Sequence, residues 1–172
     1  MRIIVRAARE SDLPQLQDIE VDAGKVFAEI GMASIAGADP PSIELLSAHL
    51  EQRTLWVVVD PADRPVAYAS ASVVDGEGHL DQVSVRRSYA RRGIGRALVE
   101  QVCEWAMTQG LHAVTLTTFR DVAWNGPLYE RYGFIPLADD EHGPELAAIR
   151  AAERAAGIDV APRIAMRRSL TF

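Results

Sequence analysis

An arginine-rich turn near the middle of the chain has the residues needed to bind an anion. Five arginines fall within eleven residues without an intervening acidic residue, although the whole chain carries a formal net charge of −6. Gly93 and Gly95 in this stretch lack a Cβ, so the backbone can turn tightly and present N–H groups. A helix starting here would add a favourable dipole. The stretch therefore predicts a phosphate or pyrophosphate site; its arginines are Arg86, Arg87, Arg91, Arg92 and Arg96.

Other phosphate-binding loops fit this turn less well. A dinucleotide-binding fingerprint requires a third small residue where Leu98 stands, and no suitable acidic residue follows a second strand at the expected distance. A Walker loop requires Gly-Lys-Ser/Thr, and the only lysine of the chain is Lys25. The simplest alternative, a charged helix start without a ligand, stays open.

The residues on either side of the turn predict a strand before it and a helix after it. Apolar residues recur at helical spacing from Ile94 onwards, and Gly110 then stops the helix. Residues 79–85 alternate with the period of two that is typical of a strand. This alternation predicts one strand face with His79, Asp81, Val83 and Val85, and an opposite face with Leu80, Gln82 and Ser84.

Two motifs in this order resemble the GNAT superfamily of acyl-CoA N-acyltransferases. The first is Val83-Ser84-Val85 followed by Arg91-Arg92-Gly93-Ile94-Gly95, which resembles the family's pyrophosphate arm, Gln/Arg-x-x-Gly-x-Gly/Ala. Ala90 stands at the Gln/Arg position, which removes a side chain but leaves the backbone amides. The second resembles Asn...Leu-Tyr-x-x-x-Gly-Phe and is matched by Asn125, Leu128, Tyr129, Gly133 and Phe134. Together the motifs cover about residues 79–137.

The resemblance implies a fold and a cosubstrate. The expected fold is α/β, with a mixed central sheet that is splayed between its fourth and fifth strands and has helices on both faces. The expected cosubstrate is acetyl-CoA, whose pantetheine arm would enter the gap and pair with backbone near Val83 and Val85. No metal is expected. The residues expected to bind the cosubstrate are Val83, Ser84, Val85, Arg91, Arg92, Gly93, Ile94, Gly95, Arg96 and Asn125.

Acyl transfer from a thioester to an amine requires a neutral nucleophile, a donor to the oxyanion and a proton for the thiolate. The resemblance assigns the proton to Tyr129 and the oxyanion donor to the N–H of Val85. Asp81 and His79 are expected to act as the base through water, with Glu77 a weaker candidate. Structural alternatives stay open: a hydrogen bond for Asp81, a strand-edge position for His79, core packing for Tyr129 and helix capping alone for Asn125.

Sequence patterns outside the motifs predict the remaining elements. A helix that Ser11 or Asp12 can cap follows the first strand. The segment Gly24 to Pro41 is long for a connection in a compact domain, and the resemblance implies that it borders the acceptor. The expected strands are Ile3–Arg6, Leu55–Val59, Val66–Val74, His79–Val85, Ala113–Phe119, Phe134–Leu137 and Arg163–Leu170. A parallel pairing is expected between the fourth and fifth of these strands, because a helix connects them.

The chain length of 172 residues, with 48% hydrophobic and 24% charged residues, predicts one globular domain, and the resemblance implies that it is a single GNAT domain over residues 1–172. This domain would carry an extra helix at about residues 144–156 before the last strand. No signal peptide or membrane span is recognised, so a cytoplasmic monomer or homodimer is expected. The single cysteine, Cys103, excludes an internal disulfide and is expected in the core. The acidic balance disfavours nucleic acid as a partner.

Two classes of function fit these features. The first is an N-acetyltransferase that moves acetyl from acetyl-CoA to a primary amine by direct attack in a ternary complex. The alternative is a non-catalytic GNAT-like domain that binds acyl-CoA as a sensor or assembly module. The acceptor is expected to be a cationic small-molecule amine or a protein amine. The resemblance implies that two loops flank the acceptor, and their carboxylates favour a cationic one unless they only solvate the loops; they are Glu29, Asp39, Asp139, Asp140 and Glu141.

Overall fold

The computed structural model describes residues 1–172 as a seven-stranded sheet with helices around it. The α-helices are α1 (Leu13–Gly24), α2 (Ala33–Ala36), α3 (Ile43–Glu51), α4 (Ile94–Thr108), α5 (Gly126–Arg131) and α6 (Pro144–Ala155). The strands are β1 (Val5–Ala7), β2 (Leu55–Val59), β3 (Pro65–Val74), β4 (Glu77–Val85), β5 (Ala113–Phe119), β6 (Ile135–Leu137) and β7 (Arg163–Ser169). Their order in the sheet is β1-β2-β3-β4-β5-β7-β6.

The predicted parallel pairing of β4 with β5 is confirmed, and it is short. Only Gly78↔Val114 and His79↔Thr115 are paired across the two strands. The neighbouring ladder is much longer, because β5 pairs antiparallel with β7 along seven residue pairs, from Ala113↔Ser169 to Phe119↔Arg163. Most backbone groups of β4 beyond His79 therefore have no partner in the β5 ladder.

The chain divides into two compact units. Unit one contains residues 1–72 and 80–102, and its core packs α1 and α3 against β2 and β3. Ser42 caps α3 as predicted, since its hydroxyl accepts the Leu45 N–H at 3.1 Å. Asp12 does not cap α1; its carboxylate accepts the Arg9 N–H instead. The buried core side chains are Ala8, Leu13, Leu16, Ile19, Leu46, Leu55, Val57, Val59 and Tyr68.

Unit two contains residues 73–79 and 103–172, in which α6 packs near β5 and β7. Val74, Leu146 and Ala165 form an apolar cluster there. Beside it, Arg150 of α6 is buried and donates to Glu153 at 2.7 Å and to Asp159 at 3.0 Å. Pairing of this kind is what a buried guanidinium requires, because an isolated buried charge is costly.

Helix α6 is capped by a residue far away in sequence. Asp75 lies in the turn before β4 with a φ of 52°, and its carboxylate accepts the N–H groups of Glu145 and Leu146, both at 2.9 Å. The Glu145 carboxylate accepts the Asp75 N–H at 2.7 Å in return. Gly143 permits this approach, because a Cβ there would lie 2.4 Å from the Asp75 Cγ. The exchange therefore satisfies orphan donors at the start of the helix.

The segment from Gly24 to Pro41, predicted as an irregular connection, contains short helical turns. Residues Lys25–Ile30 form a 3₁₀ helix that ends at Gly31, and α2 follows after one further residue. Glycines at positions 24, 31 and 37 and the prolines at 40 and 41 interrupt this segment, so a single long helix cannot run through it. No helix of the structure is long and apolar enough to cross a membrane.

Candidate functional site

The arginine-rich turn lies in unit one and continues into the first turn of α4, which contains Arg96. Arg87–Tyr89 forms one 3₁₀ turn, Arg91 has a φ of 61°, and Gly93 has a φ of 79°. The Ala97 N–H donates to the Gly93 carbonyl at 3.1 Å and so closes the first turn of α4. The N–H groups that precede Ala97 in this turn lack acceptors within the helix, which is the arrangement that binds anions.

Two of the five arginines stabilise the turn itself. The Arg87 N–H donates to the Asp22 carboxylate at 2.8 Å, and its guanidinium lies 3.3 Å from the same group. Burial opposes ionisation of Asp22, but these bonds hold the pKa of its carboxyl below the ordinary value. Arg92 stacks on the Tyr89 ring at 5.0 Å and donates to the Ser88 carbonyl at 3.2 Å. A phosphate role for Arg91, Arg92 and Arg96 stays a prediction.

The two glycines of the turn are not equivalent. Gly93 adopts the left-handed conformation that side chains rarely tolerate. Gly95 does not have a positive φ, and a Cβ there would lie 3.9 Å from the Val85 Cγ2, an ordinary contact. Replacing Gly93 would therefore strain the turn, whereas replacing Gly95 changes only the space beside the backbone.

Strand β4 does not alternate strictly, contrary to the sequence prediction. The Asp81 carboxylate accepts from the Ser72 hydroxyl at 3.1 Å and lies 3.9 Å from Nε2 of His49 in α3. The Ser84 hydroxyl donates to Glu20 of α1. Because α1 and α3 pack on one core, Asp81 and Ser84 point to the same side although they are three residues apart. One extra residue between them, as in a β-bulge, accounts for this break.

The two predicted base residues have different surroundings. His79 is 3% exposed, and its Nδ1 lies 2.8 Å from the Thr115 hydroxyl in unit two. The Asp81 side chain is 31% exposed in unit one, beside His49. Asp81 thus has the water access that a base acting through water needs, while the Thr115 contact fixes the orientation of the His79 ring. Their catalytic roles stay predictions.

Glu20, which sequence reasoning missed, is a carboxylate held beside β4 by three hydrogen bonds. Its carboxylate accepts from the Tyr68 hydroxyl at 2.9 Å, from Gln82 Nε2 at 2.7 Å and from the Ser84 hydroxyl. A signal was present in the sequence, because Glu20 follows Leu13 by seven residues and Leu16 by four. That spacing places it on the apolar face of α1, where a carboxylate requires an explanation.

The second motif lies in unit two, around α5. Asn125 precedes this helix but makes no side-chain capping bond, and its Oδ1 is buried without a hydrogen-bond partner. The alternative that Asn125 serves only as a cap is therefore wrong. A buried carbonyl oxygen without a donor is unusual, and it suits a donor from a bound molecule.

Tyr129 packs through its ring and keeps its hydroxyl proton at neutral pH. Its ring makes edge-to-face contacts with Tyr132 at 6.3 Å and with Phe134 at 5.9 Å. Burial, and then the charge of Tyr132, raise the pKa of Tyr129 to about 12. The hydroxyl therefore holds its proton more tightly than an exposed phenol does, and it is protonated at neutral pH. The role of Tyr129 as the proton donor stays a prediction.

The sequence model of the Acetyltransferase (GNAT) family matches residues 18–134. The matched segment spans more than half of the chain and includes both motifs. The chain belongs to this family. It is 31% identical over 99 residues to the [ribosomal protein bS18]-alanine N-acetyltransferase of Salmonella typhimurium, covering 58% of this chain and 67% of that protein.

Two further GNAT comparisons extend this result. The chain is 26% identical over 76 residues to the uncharacterized N-acetyltransferase YobR of Bacillus subtilis, which is 44% of this chain and only 31% of YobR. The structure of Rv2747 from Mycobacterium tuberculosis, solved with CoA, superposes with a TM-score of 0.74 at 21% identity and covers 98% of this chain and 99% of that one. This likeness establishes the GNAT fold.

Within the GNAT fold, two groups of residues could hold CoA. In unit one, the amides of the turn at Gly93 and the start of α4 suit its pyrophosphate. In unit two, the buried Oδ1 of Asn125 lacks the donor that a pantetheine amide carries. Each group by itself therefore suits one part of this cosubstrate. No group of three or more His, Cys, Asp or Glu side chains is placed to hold a metal ion.

Proposed function

We propose that this protein is an N-acetyltransferase that moves the acetyl group of acetyl-CoA to a primary amine, on a small molecule or on a protein. The observation that carries the proposal is the position of Tyr129, which stands at the family's tyrosine position inside the segment that the family's sequence model matches. A module that only binds acyl-CoA has no need of such a proton donor. The acetyltransferase family and the alanine N-acetyltransferase relative support the same reaction.

The proposed reaction is direct attack in a ternary complex. The acceptor nitrogen forms a bond to the acetyl carbon, and the bond from that carbon to sulfur breaks. An ammonium acceptor first gives one proton to the base and loses a second after attack, while the thiolate takes one proton. The balance is R–NH₃⁺ plus acetyl-CoA giving R–NH-acetyl, CoA and H⁺.

Each protein group has one role in this reaction. The amides of the turn at Gly93 and Gly95 bind the pyrophosphate, and Asn125 binds the pantetheine arm. The Val85 N–H donates to the carbonyl oxygen that gains charge, and a backbone donor is already in place before the reaction. Asp81, with His79, receives the amine proton through water, and Tyr129 protonates the leaving thiolate.

The proposal is tested by measuring CoA thiol release with a panel of primary amines. The panel contains a peptide with an N-terminal alanine, a lysine-containing peptide with a blocked N-terminus, spermidine and free L-amino acids. Amine-dependent thiol release, with an acetylated product that is 42 Da heavier (about one acetyl group) by mass spectrometry, is the expected result. Tight acetyl-CoA binding by calorimetry without release for any amine would instead favour the sensor or assembly module.

The binding role of the turn is tested by Gly95→Val. We expect this change to weaken acetyl-CoA binding by about 10-fold or more, because the side chain occupies the space where a phosphate approaches the amides. The Cβ would lie 3.9 Å from the Val85 Cγ2, an ordinary contact, and the φ of Gly95 is not positive, so the backbone of the turn should be retained. Isothermal titration calorimetry measures the affinity. Unchanged affinity in a variant with wild-type melting temperature would refute this pyrophosphate site.

A further inference from the structure

Glu20 is a carboxylate held beside β4 by three neutral donors. The Tyr68 hydroxyl and the Ser84 hydroxyl donate to its Oε2, and Gln82 Nε2 donates to its Oε1 at 2.7 Å. Two carboxylate oxygens offer about four acceptor positions, so these three bonds leave room for one more donor. All four residues belong to unit one.

The three groups that donate to Glu20 are neutral, so they do not compensate the charge of its carboxylate. No basic side chain pairs with it, whereas other carboxylates of unit one do pair: Asp12 with Arg6 at 2.7 Å and Asp22 with Arg87 at 3.3 Å. Tyr68 is fully buried, and its pKa is raised by burial and then by the charge of Glu20. A partly buried carboxylate with neutral donors alone is a favourable place for a cation.

The position of Glu20 relates this charge to the proposed reaction. Gln82 and Ser84, two of its donors, flank Val83 on the strand whose Val85 N–H is proposed to hold the thioester oxygen. Glu20 itself is half-buried rather than sealed in the core, so a solvent-borne ligand can reach it. A cation bound at its free acceptor position would therefore lie next to this strand.

We propose that the Glu20 carboxylate binds the ammonium group of the acceptor, the one that is acetylated. The inference rests on the proposed acetyltransferase function and deepens it. It specifies an acceptor that arrives as a cation, and it makes Glu20, on α1, the residue that selects for that charge. The three donors fix the carboxylate, so its orientation is already set when the acceptor binds.

The test is steady-state kinetics of Glu20→Gln with the best acceptor of the amine panel. We expect the KM of the acceptor to rise about 10- to 100-fold, the effect of losing one charged hydrogen bond. The KM of acetyl-CoA should stay within about twofold, since CoA is held elsewhere. Asp18→Asn is the matched control, because it removes the same charge from an exposed position of α1 and should leave both constants unchanged.

Tyr68→Phe separates a charge role from a structural one. It breaks a bond of the same cluster, as Glu20→Gln does, but leaves the carboxylate in place. If the cluster served only to join α1 to the sheet, the two variants would change kinetics and melting temperature alike. If Glu20 binds the acceptor, only Glu20→Gln raises the acceptor KM strongly, and Tyr68→Phe changes it by less than about threefold.

The wild-type protein provides a measurement that needs no variant. The acceptor KM should rise when NaCl is increased from about 0.05 M to about 0.5 M, because salt screens the attraction between ammonium and carboxylate. If the acceptor KM does not change with NaCl, or does not change in a folded Glu20→Gln protein, the proposed role of Glu20 is overturned while the proposed acetyltransferase function stands. A wild-type protein that is inactive with every amine overturns the proposed function, and this inference with it.

Discussion

Tyr129→Phe should lower kcat about 10- to 1000-fold, the range expected when one general acid is lost. The change removes only the hydroxyl, so the edge-to-face contacts of the ring with Tyr132 and Phe134 remain. Affinity for acetyl-CoA and the melting temperature should therefore stay close to those of the wild type. The measurement is thiol release at saturating substrates, combined with single-turnover kinetics to show that chemistry limits the rate.

Tyr132→Phe is the matched control for this prediction. Tyr132 contacts the Tyr129 ring at 6.3 Å and loses the same hydroxyl, but it is not at the motif position, so kcat should be nearly unchanged. Wild-type turnover by Tyr129→Phe, with chemistry rate-limiting, would make Tyr129 a packing residue and leave protonation of the thiolate to water. Sensitivity at Tyr132 instead would mean that the second motif is placed wrongly on the sequence.

Local patterns in the sequence predicted the part of the fold that positions the site. The alternation before Val85, the glycines after it and the helical spacing from Ile94 correspond to β4, the turn and α4. A helix between two strands also predicted the parallel pairing of β4 with β5, which the ladder at Gly78 and His79 confirms. Such features are readable because each depends on residues close together in sequence.

Features that depend on distant residues were not predictable in the same way. Asp75 caps α6 from 70 residues away, and no local motif links it to Glu145. The break in the alternation of β4 became apparent only through the partners of Asp81 and Ser84 on α3 and α1. Periodicity assumes a regular strand, and one extra residue shifts every side chain beyond it to the other face.

The partners of Glu20 were also not predictable from the sequence, because they are distant from it in the chain. Its position on the apolar face of α1 was readable, but its three donors lie 48 to 64 residues further along the chain. Propensity and periodicity assign such a segment to a helix whether or not one of its core positions carries a charge, so they do not report the unusual carboxylate. Because buried charges are costly, such a residue is better treated as evidence of a ligand or a network.

Gly126→Ala should destabilise the protein by about 3 kcal/mol, at the upper end of the range for overpacking. Gly126 is the first residue of α5, and a Cβ there would lie 2.4 Å from the Arg120 carbonyl oxygen and 3.1 Å from the Phe119 carbonyl oxygen. Both neighbours are backbone atoms, and the Arg120 N–H is fixed by the Pro162 carbonyl at 2.9 Å, so no flexible side chain can move aside.

The loss should appear as a fall in melting temperature of about 10 °C, measured by circular dichroism. Gly24→Ala is the control, since a Cβ there would lie 3.7 Å from the nearest atom, and the change should be neutral or stabilising by up to about 1 kcal/mol. Gly126→Ala should also reduce acetyl transfer below the wild-type rate at temperatures where the variant is folded, because Asn125 and Tyr129 flank the residue that has to shift. A variant with unchanged melting temperature and activity would show that the backbone at Arg120 yields easily, and that Gly126 does not determine the placement of α5.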